Sequence, residues 1–389
     1  MKFIINRNSE IPISEQLCSQ IKRQLYSDFK PGDKLPPVNQ IAACAGVSLK
    51  TAQLALDRLV RDAVCVRRPK KGTYLRSSTL RPYIALINLH RYSDPRNDLI
   101  FSRIYTGISR RADELSIDIL MSPDGNISES QISDNEIYDN KDLFLQGIII
   151  LPSGTPDAVR TIAERHPYIK AAHVHAYFGN ETGMPDNCYG IFNDDLEGGK
   201  QLSRTFAPNA QDFFIFEARG PTRNQPLRAE GFIQGLAERK LTVRDNRHWL
   251  LTVHNDFSVT CENYSGEVLR IEKTVDTSPF RRFIQIGYRA AQILFTTYRG
   301  TDRFFSESAA VFCTQDLIAA GIKKFCAAHS LGGIPVAGFD NIIPHLSAEY
   351  GYQTMHVEYE QMGIKAVECV MSGSGEMNTI QRIPPRIIY

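Results

Sequence analysis

Residues 35–60 read Leu35-Pro36-Pro37-Val38-Asn39-Gln40-Ile41-Ala42-Ala43-Cys44-Ala45-Gly46-Val47-Ser48-Leu49-Lys50-Thr51-Ala52-Gln53-Leu54-Ala55-Leu56-Asp57-Arg58-Leu59-Val60. The prolines keep the chain extended, because a residue before proline avoids the helical region. A short helix is predicted from Val38 to Ala45, with Ile41 and Ala42 facing inward. Gly46 supplies the left-handed residue that closes it. Val47 plugs the core, and Ser48 is suited to cap the next helix. That helix is predicted from Leu49 to about Ala63, with Ala52, Leu56, Leu59 and Val60 on one face. Two helices joined by a short glycine turn make a helix-turn-helix, and the start of its second helix is where base edges are read. Lys50, Thr51 and Gln53 stand there.

Outward from this core the pattern continues on both sides. Upstream, Ile13, Leu17, Ile21 and Leu25 recur every four residues, predicting an amphipathic helix to about Phe29 that Pro31-Gly32-Asp33 ends. Downstream, Val64-Cys65-Val66-Arg67-Arg68 and Thr73-Tyr74-Leu75 read as strands around the turn Pro69-Lys70-Lys71-Gly72. A basic-tipped hairpin directly after a helix-turn-helix is a wing, and lysines at its tip suit phosphates or the minor groove. Charge agrees with this placement. Residues 1–80 carry 14 Lys and Arg against 6 Asp and Glu, and the remainder carries 31 against 37. Only the first segment is built to meet a polyanion.

The ordered string Gln20-Ile21, Pro31-Gly32-Asp33-Lys34-Leu35-Pro36, Ile41-Ala42, Gly46-Val47-Ser48, Thr51, Ala55-Leu56, Leu59, Arg67-Arg68 and Gly72-Thr73-Tyr74 resembles the GntR-type winged helix of bacterial transcription regulators. The resemblance covers about residues 11–75. It implies DNA contacts from Asn39, Ser48, Lys50, Thr51, Gln53, Lys70, Lys71 and Gly72. The sequence departs from that family's pattern at Pro37-Val38, where Ser-Glu is common, and at Leu49 and Gln53, where arginines are usual. Arginine reads guanine and glutamine pairs best with adenine, so either a different operator or weaker DNA binding is expected.

With 389 residues the chain is too long for one core. A polar linker is expected at residues 77–81, between a head of residues 1–76 and a body of residues 82–389. In the body strands alternate with helices: Tyr83–Ile87, then Arg103–Leu115, Ile117–Met121, Gly147–Leu151, Ala158–Arg165, Ala171–Val174, Gly198–Phe206, Asp212–Phe216, Leu227–Glu238, Ser278–Ile293, Ala309–Phe312, Asp316–Ala328 and Pro335–Phe339. Such alternation predicts an α/β body of parallel sheets with helices on both faces. Two lobes are expected: residues 82–191 with 355–380, and residues 192–354 with the C-terminal segment. Residues 124–142, rich in Asp, Asn and Ser, are expected to form a long surface loop.

Five landmarks in the body resemble LacI-type repressors and the periplasmic sugar-binding proteins. They are Asn193-Asp194-Asp195-Leu196-Glu197-Gly198-Gly199-Lys200, Pro226-Leu227-Arg228-Ala229-Glu230-Gly231-Phe232, Val311-Phe312-Cys313-Thr314-Gln315-Asp316-Leu317-Ile318-Ala319-Ala320-Gly321, Pro335-Val336-Ala337-Gly338-Phe339-Asp340-Asn341 and Gln361-Met362-Gly363. The resemblance implies a hinged, periplasmic-binding-protein-like body that takes a small sugar, in a homodimer bound to operator DNA. Sugars need bidentate polar groups and an apolar face. Asp340 ends a strand at a usual place to bind hydroxyls, and Arg228, Gln315 and Asp316 match other ligand positions. Tyr92, Phe101 and Tyr359 are candidate apolar faces, and His175 stands where the family has a polar contact. Asp194 is expected to cap a helix. Departures are Gln315 for the usual Asn, Asn341 for a second Asp, and Ala348–Thr354 for a Pro-Thr run.

Other classes lack their signatures. No Walker loop, Gly-x-Ser-x-Gly elbow, His-Glu-x-x-His or Schiff-base lysine context follows Leu80, so neither an enzyme nor a cofactor-binding body is expected. The alternative to a sugar-binding body is one that takes a non-sugar effector, or an enzyme-derived body that binds pyridoxal phosphate. The eight cysteines contain no CxxC pair, and no metal site is expected. With no secretion signal and no apolar run long enough for a membrane span, a cytoplasmic, nucleoid-associated protein is expected.

Overall fold

A computed structural model describes residues 1–9, 11–76, 81–88, 99–121, 143–151, 156–165, 167, 169–179, 184–254, 258–271, 279–298, 308–372 and 380–388. Tyr92 and the predicted loop at 124–142 lie outside them.

The head begins with helix α1 (Ile13–Asp28), followed by α2 (Val38–Ala45) and α3 (Leu49–Arg61). Gly46 takes the left-handed conformation at φ 63° and closes α2, while the Ser48 hydroxyl accepts from the Thr51 amide at 3.0 Å and starts α3. Leu17, Ile21 and Leu25 of α1 pack with Ile41, Ala52, Leu56 and Leu59 into a core separate from those of the body. Buried Lys22 pairs with Asp62 at 3.2 Å, and Glu15 with Arg58 at 2.7 Å, tying α1 to α3 and the residue that follows it. Strands β1 (Cys65–Arg68) and β2 (Gly72–Leu75) form the antiparallel wing. The Pro31-Gly32-Asp33 segment does more than end α1: Leu35 N–H donates to Thr73 O and Leu75 N–H to Asp33 O, adding a third edge to the wing.

The sequence reading missed how residues 2–6 are held. Gln16, Gln20 and Gln24 stand on one row of α1 and serve as a side-chain ladder for this extended segment. Gln20 donates to Ile4 O at 2.7 Å and accepts from Ile4 N–H at 2.9 Å. Gln16 makes the same exchange with Asn6, and Gln24 donates to Lys2 O.

The whole chain divides into two compact units, the first of which includes the head. The first comprises residues 1–176, 180–192 and 359–381; the second comprises 177–179, 193–358 and 382–389. The first contains β3 (Arg81–Asn88), α4 (Leu99–Glu114), β4 (Asp118–Met121), β5 (Leu143–Leu151), α5 (Pro156–Arg165), β6 (Lys170–Val174) and β7 (Cys188–Asn193). Arg81, expected in the linker, is the first residue of β3 because it pairs with Leu143 of β5. Strands β3 to β7 pair in parallel, and with β15 (Ile380–Ile383) the sheet order is β15-β7-β6-β5-β3-β4.

The second unit contains α6 (Asp195–Thr205), β8 (Asp212–Ala218), α7 (Asn224–Glu238), β9 (His248–Val253), β10 (Val259–Asn263), β11 (Val268–Ile271) and α8 (Pro279–Tyr298). It continues with β12 (Ala309–Cys313), α9 (Asp316–Ala328), β13 (Val336–Asp340), α10 (Pro344–Tyr350), β14 (Gln353–His356) and β16 (Arg386–Ile388), while α11 (Tyr359–Met371) belongs to the first unit. Its sheet runs β11-β10-β9-β8-β12-β13-β14-β16. The stretch β9-β8-β12-β13-β14 is parallel, as expected; β10, β11 and β16 add antiparallel edges the sequence reading did not anticipate.

Three helix pairs cross glycine on backbone. A Cβ at Gly107 of α4 would collide with the Glu360 carbonyl of α11, and one at Gly363 with the Ile104 carbonyl. Gly199 and Gly231 meet the same obstacle between α6 and α7, as do Gly287 and Gly321 between α8 and α9. Four of these six glycines sit inside the sequence landmarks.

Candidate functional site

The head presents one exposed polar surface. Asn39 lies on the first turn of α2, and Ser48, Leu49 and Lys50 are exposed at the start of α3. Ser48 is committed to the cap and shares a hydrogen bond with the Thr51 hydroxyl at 2.8 Å, so its contribution is to fix the helix start. Gln53 donates through Nε2 to Asp57 Oδ1 at 2.8 Å, and the same oxygen accepts from Arg67 Nη2 of β1 at 2.7 Å. At the wing tip Lys70 and Lys71 are exposed; Lys70 has φ 61° and Gly72 φ 111°, which make the tight turn. Tyr74 braces it, donating to Lys71 O at 3.1 Å under the Arg68 guanidinium at 4.6 Å. All eight residues expected to contact DNA thus lie in the helix-turn-helix or at the wing tip.

The second unit contains a buried polar cluster at the C-terminal ends of its central strands, where open α/β sheets bind ligands. Arg228 of α7 is 1% exposed. Its Nε meets Asp195 Oδ1 and its Nη2 meets Asp340 Oδ1, both at 2.7 Å. Its Nη1 donates to Thr314 O at 2.9 Å, and the guanidinium lies 4.3 Å from the Phe339 ring centroid. Asp195 also accepts from Asn193 Nδ2 and Asn224 Nδ2, each at 2.7 Å. Asp340 and Asn341 end β13 with φ 107° and 48°, a strained reversal of the kind found at ligand sites.

Next to this set Asp316 Oδ1 accepts from Thr354 Oγ1 at 2.6 Å. Burial pushes the Asp316 carboxyl well above the usual carboxylate range, and the Asp340 charge adds to that, against the Thr354 hydroxyl, the Asn341 N–H and Arg228. Gln315 Oε1, Asp316 Oδ2, Asn341 Oδ1 and the Tyr352 hydroxyl are buried with no hydrogen-bond partner among the described residues. Buried polar atoms are normally satisfied, and these four lie on or next to the segments that carry Asp316 and Asp340.

The remaining expected effector residues lie in the first unit. His175 is half-buried at φ 72°, its ring 5.3 Å from that of buried Tyr359 in an edge contact. Buried Phe101 stacks on Tyr105 at 5.9 Å. Sequence reasoning missed Asp195, Asn193, Asn224, Thr314 and Thr354. Asp194 caps α6 through the Glu197 amide at 3.2 Å, as its position predicts. All eight cysteines are free thiols, and Cys44 alone is exposed. Among the described residues no helix is long and apolar enough to cross a membrane, and no His, Cys, Asp and Glu cluster could hold a metal ion.

A winged helix-turn-helix with a basic wing, followed by an α/β body built on two largely parallel sheets, defines the class: a DNA-binding head on an α/β body. Residues 13–75 match the model of the bacterial regulatory proteins, gntR family, and that segment is a gntR-type DNA-binding domain. The chain is 33% identical over 72 residues to the HTH-type transcriptional repressor NagR of Bacillus subtilis (strain 168), covering 18% of this chain and 30% of that repressor. It is 29% identical over 105 residues to the repressor YtrA of the same bacterium, covering 27% of this chain and 80% of YtrA. Among solved structures it resembles a transcriptional regulator CelR–cellobiose complex at TM-score 0.55 and 12% identity, covering 91% of this chain and 99% of that one. The Escherichia coli transcriptional repressor ascG matches at TM-score 0.54 and 12% identity, covering 79% and 97%. A LacI regulator from Bacillus cereus subsp. cytotoxis NVH 391-98 matches at TM-score 0.55 and 14% identity, covering 79% and 96%. At these identities the likeness is one of fold, and the body has the fold of LacI-type regulators.

Proposed function

We propose that this chain is a ligand-responsive transcriptional repressor, binding operator DNA as a homodimer, whose DNA affinity is set by a small carbohydrate held at the polar cluster of the second unit. The observation that carries the effector reading is the group of unpartnered buried atoms, Gln315 Oε1, Asp316 Oδ2, Asn341 Oδ1 and the Tyr352 hydroxyl, beside the Arg228–Asp340 pair. Gln315 Oε1 and Asn341 Oδ1 are acceptors, while the Tyr352 hydroxyl and a protonated Asp316 carboxyl can donate, a mixture that suits a ligand rich in hydroxyls. The single guanidinium already faces two carboxylates, Asp195 and Asp340, which favours a neutral polyol over an anion. The Phe339 ring lies under the guanidinium and holds it in place. Repression is supported by the names of NagR and YtrA, and a sugar by the cellobiose in the CelR structure.

A thermal-shift screen of the whole chain against mono- and disaccharides, amino acids and nucleosides tests the ligand class. Gel shifts with and without the hit then give the sign of control. In Asp340→Ala the stabilisation by the hit is expected to vanish while DNA binding persists. A normal shift in that variant removes the cluster from the ligand site, and a hit confined to amino acids or nucleosides replaces the carbohydrate.

A further inference from the structure

We infer that α3 reads an adenine through Gln53 and a thymine methyl through Leu49, and that Asp57 is a positioning residue that sets the Gln53 amide and couples it to the wing. This rests on the head acting as a DNA-binding domain and adds the base preference of that surface.

Leu49, Gln53 and Asp57 are spaced four apart, so they form one row along α3 that starts at the Ser48 cap. Leu49 is 58% exposed, a large apolar side chain at the position where a recognition helix meets base edges. It has no polar atom to offer a guanine, and the thymine C5-methyl is the apolar feature of the major groove.

Gln53 is the polar member of the row. A free glutamine amide can flip and present either its oxygen or its nitrogen. Here Asp57 settles the choice, because a carboxylate is an acceptor only and takes the Nε2 side at 2.8 Å. Oε1 and the second amide hydrogen are left together on the outward edge. That donor-and-acceptor pair matches adenine N7 and N6–H2, whereas guanine offers two acceptors there. Asp57 is itself held by Arg67 Nη2 at 2.7 Å. This contact between Arg67 and Asp57 ties β1 of the wing to the reading row.

The experiment is selection from a random duplex library with the full-length chain, followed by affinities of the selected duplex and its base analogues. The expected half-site carries an A·T pair whose replacement by G·C weakens binding about 5- to 100-fold, the range for one bidentate contact. Gln53→Arg is expected to exchange that preference for G·C at the same position. Deoxyuridine in place of one thymine is expected to weaken the native chain several-fold and leave Leu49→Ala unchanged. Asp57→Ala is expected to lower the adenine-over-guanine ratio several-fold while affinity for unrelated duplex stays the same or rises, an effect that loss of fold would not give. All three side chains lie on the outer face of α3, and a circular-dichroism melt checks each variant. Guanine at the Gln53-dependent position, indifference to deoxyuridine, or an unchanged ratio in Asp57→Ala overturns the inference while DNA binding stands. No enrichment and no binding of any duplex overturns the DNA-binding reading itself.

Discussion

Burial holds the His173 imidazole neutral, its pKa lowered to about 3, with the neighbouring His175 adding to the shift. In the unfolded chain the same ring titrates near pH 6.5. The folded form therefore declines a proton that the unfolded form takes, so the stability this group contributes is complete above pH 6.5 and is lost as pH falls towards 3. Between pH 6.5 and 5 the loss should approach about 2 kcal/mol, at up to about 1.4 kcal/mol per pH unit. Amide hydrogen exchange in β6, corrected for intrinsic rates, should show this loss in the native chain and not in His173→Asn; equal losses in both would remove His173 as the cause. At the same scale Arg228 shows where a sequence stops speaking. The Gly-Phe-Asp-Asn turn marked Asp340, and the second landmark marked Arg228. Asp195, 33 residues from Arg228 along the chain, stood in the first landmark with no role assigned, because its pairing with Arg228 exists only after α6 and α7 cross.

Elements were readable where punctuation is chemical. Helix α2 lies between Pro37 and Gly46, and α9 begins at Asp316, both at the expected residues. The segment 2–6 escaped because side chains rather than a partner strand hold its backbone. Gln20→Ala leaves the Ile4 N–H and C=O without partners and should cost the head about 1–3 kcal/mol. Limited proteolysis should then trim the first residues faster than in the native chain; unchanged trimming would mean that Phe3 and Ile5 hold the segment by apolar packing alone. The meander of β9, β10 and β11 was missed because no Asn-Gly or Asp-Gly turn announces it. At the wing, Lys70 and Lys71 stand exposed as predicted. The double change to Ala should weaken binding to all duplexes alike and flatten the plot of log affinity against log salt by about two. A sequence-dependent loss with the slope unchanged would move these lysines from the phosphates to base edges.

At the scale of the molecule, separate cores predict separate failures. Phe312 is fully buried and stacks on Phe232 at 4.2 Å in the second unit. Phe312→Ala should cost about 3–5 kcal/mol there. The only tryptophan, Trp249, lies in the same unit and reports its melting. Its fluorescence midpoint should fall by roughly 10 °C, while DNA affinity measured well below that melt stays as in the native chain. A parallel fall in affinity would show that the head depends on the second unit for its fold. Fold class was readable at this scale from strand–helix alternation, whereas the atoms left unpartnered near Asp340 became visible only in the folded chain.

The glycine crossings bear on descent. Side chains in a core can change if a neighbour changes in compensation, but a helix carbonyl has no smaller version of itself. Most core side chains of this chain can therefore be exchanged with compensation, whereas any side chain at Gly107, Gly199, Gly231, Gly287, Gly321 or Gly363 meets backbone. These six positions mark where a whole helix has to move before the sequence can.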